Sequence, residues 1–470
     1  MIQKKQVLTI FSLTMITVGS VDSIRNLPAT ALFGSQLIAF FILGAIFFLI
    51  PTALVSAELA SGWPKQGGVY IWVKEAFGKK VGFLAIWLQW IENVIWYPTI
   101  LSFVAGTIGY LIDPALAKNP YFLWIVIVSS FWAVTFLNMR GMRSSALFSI
   151  ICTISGLLLP MSLIIGLGVL WIMGGNLIQV QFDLHSILPH WQDRSMWVSL
   201  TAIILSFCGI EIATVHANDV ENPQRAFPRA LIYSVGIILS TLILGSLAIA
   251  VVLPQQDINL VAGIMQAFDA FFARYHLNWM MTVVAVMLVM GGLGGVSNWI
   301  IAPTKGLLVA AVDGNLPPIF QQTNQQGAPV VMLVAQATIV TILSSLFLFM
   351  PSVNGSYWLL TALAAQLYML MYLLMFIAAI KLRFQAPKHE RPFRIPGGLF
   401  GMLIVAGIGM LGVLTTLVVS FLPPDGIDIG SVGRYECTLI VGLLLMCSPP
   451  FVMSWLEKTP SMPEKIATLG

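Results

Sequence analysis

The sequence predicts an all-α polytopic membrane protein of twelve transmembrane helices, with helices 1 and 6 broken and ten helices arranged as a 5+5 inverted repeat. Three observations predict this fold class. The 470-residue chain is 58% hydrophobic and only 9% charged, whereas soluble domains carry about a quarter charged residues. Apolar runs of about 20 residues, the length that crosses a bilayer, recur along the chain. Two of these runs are interrupted at matching places in the two halves.

The apolar runs predict where the helices lie and how they are grouped. No long polar stretch separates them, so residues 1–470 are expected to form a single transmembrane domain. Repeat 1 covers about 7–174, repeat 2 covers about 196–382, and helices 11 and 12 occupy about 398–456. The predicted spans are about 7–33, 37–60, 82–112, 121–139, 145–174, 196–217, 229–253, 279–311, 329–350, 356–382, 398–422 and 435–456.

The distribution of basic residues predicts the orientation of the chain. An even number of spans puts both termini on one side of the membrane. Of the 23 Lys and Arg residues, eighteen lie in predicted loops on the side of the termini, four lie in the opposite loops, and Arg25 lies inside span 1. Because Lys and Arg accumulate in cytoplasmic loops, both termini are expected in the cytoplasm.

The sixth span is where the apolar pattern breaks down most clearly. Residues 201–230 begin as an apolar helix, which Gly209 and Glu211 interrupt before a polar stretch that includes His216. Unpaired backbone groups cannot face lipid, so a broken helix has to line a cavity or be covered by protein. Such a break near mid-membrane is typical of a transporter's binding site. The alternative is that Gly209 only lets two helices pack closely.

The first span is interrupted in the same way. Gly19, Asp22, Arg25 and Pro28 occur where the sequence should otherwise be compatible with lipid. In both spans a glycine is followed within three residues by an acid. One broken helix at the start of each half is the sequence pattern of an inverted-repeat transporter with its binding site at the midplane.

Four charged residues are predicted in or near the membrane interior, namely Asp22, Arg25, Glu92 and Glu211. Each costs at least about 2.5–3.5 kcal/mol there unless it is paired, protonated or wetted by a cavity. Asp22 and Arg25 are three residues apart and would neutralise each other on a helical stretch. The functional alternative is that Asp22 binds a substrate ammonium and Arg25 binds a substrate carboxylate or a gate partner.

The two glutamates and one histidine are the candidates for coupling or gating. Glu92 lies among tryptophans on span 3, and an intramembrane carboxylate is a typical proton carrier. We expect it to couple protons or to contact substrate, with a structural hydrogen bond as the alternative. Glu211 is expected to gate or couple. His216 can titrate near neutral pH, and a structural histidine is the alternative.

Three polar side chains on later spans are candidates for the pocket. Tyr368 and Tyr372 lie one turn apart, so their hydroxyls share one face of span 10. They would close the external side of a pocket, whereas anchoring at the membrane interface is the alternative. Asn298 on span 8 is a candidate hydrogen-bonding group.

Several motifs are similar to those of a known family. WPKQGGVYIW (63–72) and ENPQRAFP (221–228) resemble the amino acid–polyamine–organocation superfamily, which has the LeuT-type fold. PQQDINL (254–260), the pair Tyr368 and Tyr372, and SFLPPD (420–425) narrow the resemblance to the bacterial glutamate/γ-aminobutyrate antiporters. The resemblance covers nearly the whole chain.

The resemblance implies exchange of an amino acid for its decarboxylation product, with the substrate's α-carboxylate near broken helix 1 and its amino group near broken helix 6. The matching positions are Val21, Asp22, Ser23, Ile24, Phe207, Cys208, Gly209 and Ile210. The chain departs from the pattern at two places. Val21-Asp22-Ser23 replaces a Gly-Ser-Gly-like triplet, and Gly295 stands where the antiporters carry an acid.

These features predict a secondary active amino acid transporter of the bacterial cytoplasmic membrane, working by alternating access. An amino acid/amine antiporter is favoured over proton-coupled amino acid or polyamine symport, and the alternative of another class is a channel or receptor. The expected partners are a small amino acid or amine, protons in the symport case, and lipid. No phosphate-binding loop or catalytic motif occurs, so neither ATP-driven transport nor an enzyme is expected, and no cofactor, metal or nucleic acid is predicted.

Overall fold

The described part of the chain is built entirely of helices. The computed structural model describes residues 9–65, 67–140, 152, 154–188, 197–213 and 223–456. Within these ranges there is no strand, and the predicted all-α fold is confirmed. The α-helices are α1 (Ile10–Val21), α2 (Leu27–Ala31), α3 (Leu37–Gly44), α4 (Ile50–Gly62), α5 (Val69–Phe77), α6 (Lys79–Ile112), α7 (Pro120–Met139), α8 (Leu159–Met173), α9 (Leu184–Ile187), α10 (Ser199–Ser206), α11 (Ile210–Ala213), α12 (Pro223–Val252), α13 (Gly263–Tyr275), α14 (Met280–Ala310), α15 (Val330–Ser344), α16 (Leu346–Phe349), α17 (Val353–Gln385), α18 (Gly398–Val419), α19 (Val432–Cys447) and α20 (Pro449–Leu456).

Ten helical segments of the described residues are long and apolar enough to cross a membrane, and the protein is therefore a multi-pass membrane protein. Predicted spans 1 and 6 are not among the ten. Helices α1, α2 and α10 have only 12, 5 and 8 residues because each span is interrupted, and α11 is described over four residues, as far as Ala213. Among the described residues, the two spans that the sequence predicts as broken are therefore the two without one long helix.

The centre of the bundle is formed by α6 and α17, which lie against each other. α6 also packs against α14, and α17 packs against α18. Both central helices are apolar and largely buried along their length, so they provide fixed surfaces for the short helices of the broken spans. Residues 89–99 of α6 and residues 357–372 of α17 carry the polar groups that the broken spans contact.

The loop after span 2 contains the short amphipathic helix that the sequence predicts there. α5 lies between Gly68 and Gly78, whose φ angles are 50° and 89°, and it buries its aromatic face against α6 and α17. Asp313, just beyond α14, accepts hydrogen bonds from Lys74 and from Tyr70 Oη, the latter at 2.5 Å. The Lys74 ammonium, with Tyr70, holds the pKa of Asp313 below its usual range.

A buried ion cluster closes the same end of the bundle. Glu58 on α4 lies 2.6 Å from Arg383 Nε and 3.4 Å from Arg391 Nε, and its other oxygen accepts from Ile395 N at 2.8 Å. All three charged side chains are at most 2% exposed. The segment between α17 and α18 is therefore held against the end of α4, and we call this end of the bundle the arginine end.

Candidate functional site

The break in the first span lies at Asp22 and Ser23. α1 ends at Val21, and the next two residues are extended, with ψ of 133° at Asp22 and 117° at Ser23. A 3₁₀ turn over Ile24–Asn26 then leads into α2. Two extended residues take the backbone out of the helical hydrogen-bond ladder, so polar peptide groups are available at this level.

The break in the sixth span lies at Phe207, Cys208 and Gly209, between α10 and α11. Gly209 has a φ of 103°, a conformation that residues with a Cβ rarely adopt. A Cβ built there would lie 2.9 Å from the carbonyl oxygen of Ser20 and 3.1 Å from the Trp299 ring. Position 209 therefore requires glycine for two reasons, its φ angle and its close approach to α1. This approach also shows that the two breaks lie side by side.

Glu211, in the first turn of α11, is the centre of a polar cluster that joins the break to the central helices. Its carboxylate accepts hydrogen bonds from Gln89 Nε2 at 3.0 Å, Tyr368 Oη at 2.6 Å and Tyr372 Oη at 2.5 Å. The Tyr372 hydroxyl in turn accepts from the N–H of Gly209 at 3.1 Å. The two tyrosine rings are stacked, with their centroids 4.8 Å apart. This cluster fixes the position of the break relative to α6 and α17.

Asp22 and Arg25 point to different helices, and no ion pair joins them in the described part of the chain. Asp22 Oδ2 accepts from Thr241 on α12 at 2.8 Å, whereas its buried Oδ1 has no hydrogen-bond partner. Arg25 Nη1 donates to Thr99 on α6 at 2.9 Å and to Tyr357 on α17 at 3.1 Å. Because the backbone is extended between them, the helical spacing that would pair the two charges does not exist.

Glu92 lies on α6 between Gln89, which contacts Glu211 of span 6, and Thr99, which contacts Arg25 of span 1. Its carboxylate accepts from Asn93 Nδ2 at 3.1 Å and interacts electrostatically with both Glu211 and Arg25. Its side chain is only 3% exposed. The broken spans thus carry three buried charged residues, Asp22, Arg25 and Glu211, and the buried Glu92 lies beside them on α6.

Two cavities lie near the ends of the broken spans. One of ≈ 20 Å³ lies towards the arginine end, where Ile210 of α11 faces α1, α4 and Phe393. The other, of ≈ 400 Å³, lies at the opposite end, beside the connection between α2 and α3, and includes Asp425. The carboxylate of Asp425 is the charged group of the larger cavity.

The family model described as "Amino acid permease" matches residues 8–443, which include both breaks and the residues of the site. This chain belongs to the amino acid permease family.

Named relatives resemble the permease along most of its length. An uncharacterized transporter of Legionella pneumophila is 46% identical over 450 residues, covering 96% of this chain and 97% of the relative. A glutamate/gamma-aminobutyrate antiporter of Lactococcus lactis is 31% identical over 96% of this chain and 90% of its own. A probable agmatine/putrescine antiporter of the same species is 21% identical over 84% of each chain. The resemblance found in the sequence is confirmed.

The remaining predicted site residues lie in different surroundings. Val21, Ile24 and Ile210 are buried in the apolar core. The Phe207 ring packs edge-on against Phe41, 5.6 Å away, so its side chain points towards α3. Cys208 Sγ donates to the Ile204 carbonyl at 3.3 Å. Asn298 lies in α14, but its side chain and the whole of His216 lie outside the described residues.

Several residues at the breaks are not among those predicted from the sequence. Each is a polar or aromatic residue on α6, α12, α14 or α17. Most of them lie at a helical spacing from Glu92 on α6 or from Tyr368 on α17, and this spacing is the sequence signal that would have predicted them. They are Gln89, Trp96, Thr99, Thr241, Trp299 and Tyr357.

Proposed function

We propose that this permease is a secondary active transporter that exchanges an amino acid for an amine by alternating access. The observation that carries the proposal is the approach of Gly209 in one broken span to the Ser20 carbonyl in the other. An amino acid is a zwitterion, and broken helices offer free N–H groups to its carboxylate and free C=O groups to its ammonium. The names of the Lactococcus relatives, antiporters of glutamate and γ-aminobutyrate or of agmatine and putrescine, support exchange.

The fuller architecture belongs to the same proposal. We infer twelve spans in a LeuT-type 5+5 inverted repeat within one domain, with the two broken spans first in each repeat and both termini in the cytoplasm. The ten long helices together with the two broken spans support the count. The excess of Lys and Arg in the loops on the terminal side supports the orientation. The arginine end would then face the cytoplasm of a bacterial cell.

Counterflow in proteoliposomes tests the proposed function. Vesicles loaded with unlabelled glutamate, γ-aminobutyrate, agmatine or putrescine are placed in trace labelled glutamate or γ-aminobutyrate, with protein-free vesicles as the control. An exchanger accelerates labelled uptake when the matching substrate is inside. Net uptake into substrate-free vesicles driven by an imposed pH gradient would instead indicate proton symport, and a channel shows no acceleration by internal substrate. Absence of acceleration with every internal substrate would contradict the proposal.

Asp22 is proposed to bind the ammonium of the substrate through Oδ1, the buried oxygen that has no partner. Asp22→Asn is expected to weaken competition by amine-bearing substrates about tenfold, because the carboxylate that strengthens the hydrogen bond to the ammonium becomes a neutral amide. The measurement is inhibition of labelled exchange by a panel of amino acids and amines. Asp257→Asn, which changes an exposed acid, should leave the panel unchanged. An unaltered ranking and affinity in Asp22→Asn would remove this role.

Glu211 and Glu92 are proposed to couple or gate transport. Glu211 holds both tyrosines of α17 and, through Tyr372, the N–H of Gly209. A change of its charge would therefore alter the break itself. Glu211→Gln and Glu92→Gln are each expected to flatten the dependence of exchange rate on pH, since glutamine cannot exchange a proton. If both variants kept the pH profile of the wild type, coupling through these acids would be ruled out.

A further inference from the structure

The connection between α17 and α18 begins with a run of basic residues at the end of a membrane-spanning helix. Residues 381–394 include five Lys and Arg residues and a single acid, Glu390. α17, which ends at Gln385, is long and apolar enough to cross the membrane. A cluster of about four or more basic residues immediately cytoplasmic of such a helix is typical of binding to anionic lipid. The side-chain contacts show which of the five charges are available for a lipid.

Two of the five charges are used inside the protein. Arg383 and Arg391 both lie against Glu58, and all three side chains are at most 2% exposed. Their carboxylate partner and their burial keep the two guanidinium groups away from a lipid headgroup. They hold the connection to α4, which is a structural role.

The other three charges belong to Lys381, Lys388 and Arg394 and lie at or near the surface. Lys388 and Arg394 are exposed, and Lys381 is partly exposed in the last turns of α17. The Lys381 ammonium lies 4.1 Å from the centre of the Phe77 ring on α5. No ion pair joins any of these three residues to an acid in the part of the chain that the structure describes. An aromatic ring attracts an ammonium group but does not neutralise it.

The acids of the neighbouring elements leave this surface positive. Glu75 on α5 and Asp313 beyond α14 are each paired with a lysine other than Lys381. Glu390 is exposed and can offset only one of the three available charges. The surface therefore keeps an excess of positive charge that an anion would neutralise.

An apolar side chain lies next to these charges. Phe384 is 60% exposed and follows Lys381 by three residues on α17, so the two side chains share one face of the helix. α5, whose Phe77 contacts Lys381, is a short amphipathic helix packed against α6 and α17. Exposed aromatic residues beside lysines are typical of the boundary between lipid headgroups and acyl chains. A phospholipid has the matching combination of an anionic phosphate and apolar chains.

We propose that Lys381, together with Lys388 and Arg394, binds the phosphate of an anionic phospholipid headgroup at the arginine end. The lipid site is separate from the transported substrate. It takes from the proposed function only the cytoplasmic position of the arginine end, where the leaflet surface is negatively charged. A bound lipid would hold α5 against the end of α17, the helix whose tyrosines bind Glu211.

Lipid binding to the purified full-length protein in detergent tests the proposal, with native mass spectrometry as the readout. The probes are phosphatidylglycerol and phosphatidylcholine with the same acyl chains, so only the headgroup differs. The wild type is expected to bind phosphatidylglycerol at least about fivefold more tightly, since each basic residue near an anionic surface contributes about that factor. In Lys381→Gln this preference should fall about fivefold.

Two further variants control for the substitution itself. Lys118→Gln changes an exposed lysine beyond the opposite end of α6, in a loop that also contains the acid Asp113, and should keep the wild-type preference. Lys381→Arg retains the positive charge and should keep it as well. Because each preference is a ratio measured within one variant, lower protein yield does not affect it.

The double variant Lys388→Gln/Arg394→Gln applies if Lys381→Gln gives no folded protein. Both side chains are exposed, so their loss should leave the fold intact, and the preference is again expected to fall at least about fivefold. Raising the ammonium acetate concentration about tenfold should also weaken the preference of the wild type, because salt screens exposed charges.

The outcomes separate the lipid site from the proposed function. Equal binding of the two lipids by the wild type, or an unchanged preference in both Lys381→Gln and the double variant, would overturn the proposal. Displacement of phosphatidylglycerol by millimolar inorganic phosphate would likewise overturn it, because the surface would then bind a soluble anion. None of these measurements requires transport, so a failure of counterflow would contradict only the proposed function.

Discussion

Glu58→Gln is expected to cause the largest loss of stability of any single change of charge in the described part of the permease. The substitution removes the negative charge between Arg383 and Arg391, which are buried and lie 2.6 Å and 3.4 Å from the carboxylate. Breaking a buried ion pair by removing one partner costs about 3–5 kcal/mol, because the other charge is left uncompensated. The measurement is the apparent melting temperature of the purified protein in detergent, which should fall markedly.

The matched control for this effect is Glu75→Gln. Glu75 pairs with Lys65 at 3.5 Å, but these side chains are 37% and 69% exposed. Exposed ion pairs contribute only about 0.2–1 kcal/mol. The melting temperature of Glu75→Gln should therefore lie close to that of the wild type. If the two variants melted together, the cluster at the arginine end would not be the stabilising contact that its burial indicates.

Gly209→Ala is expected to have the largest effect on transport. The residue has a φ of 103°, and the new Cβ would lie 2.9 Å from the Ser20 carbonyl and 3.1 Å from Trp299. The break has to move away from α1, which also disturbs the hydrogen bond from Gly209 N–H to Tyr372. A displacement of about 1 Å in a positioned site can lower a rate about 100-fold. The initial rate of counterflow, normalised to the amount of reconstituted protein, should fall by about this factor.

Gly236→Ala is the control that separates a local effect at the break from a general effect of the substitution. Gly236 lies on α12 with no positive φ, and a Cβ there would meet nothing within 4 Å. Its transport rate should equal that of the wild type. Wild-type transport by Gly209→Ala would mean that the break in span 6 tolerates a side chain, and hence that its close approach to α1 does not matter for function.

The sequence contains enough information to predict the interrupted spans and the charges inside the membrane. Glycine followed by an acid in an apolar run has few interpretations, because lipid does not tolerate unpaired backbone groups. The breaks at Asp22–Ser23 and at Phe207–Gly209 are therefore found where the pattern places them. Helix length and hydropathy likewise predict the ten long segments, since the bilayer sets both.

The partners of the charged residues could not be predicted in this way. Arg25 binds Thr99 and Tyr357, which are 74 and 332 residues away in the chain. Such contacts depend on how the helices are arranged in space, and periodicity along one helix does not contain that information. The spacing of Asp22 and Arg25 even favoured a pair, because the rule for residues three apart holds on a continuous helix and the break removes it.

An experimental structure with γ-aminobutyrate bound tests most directly whether the substrate lies between the two interrupted helices. We predict ligand density in contact with both Ser23 and Cys208, with its ammonium end at the Asp22 carboxylate. The prediction would be contradicted by a continuous helix through residues 19–25 or 207–211, or by ligand density away from both segments.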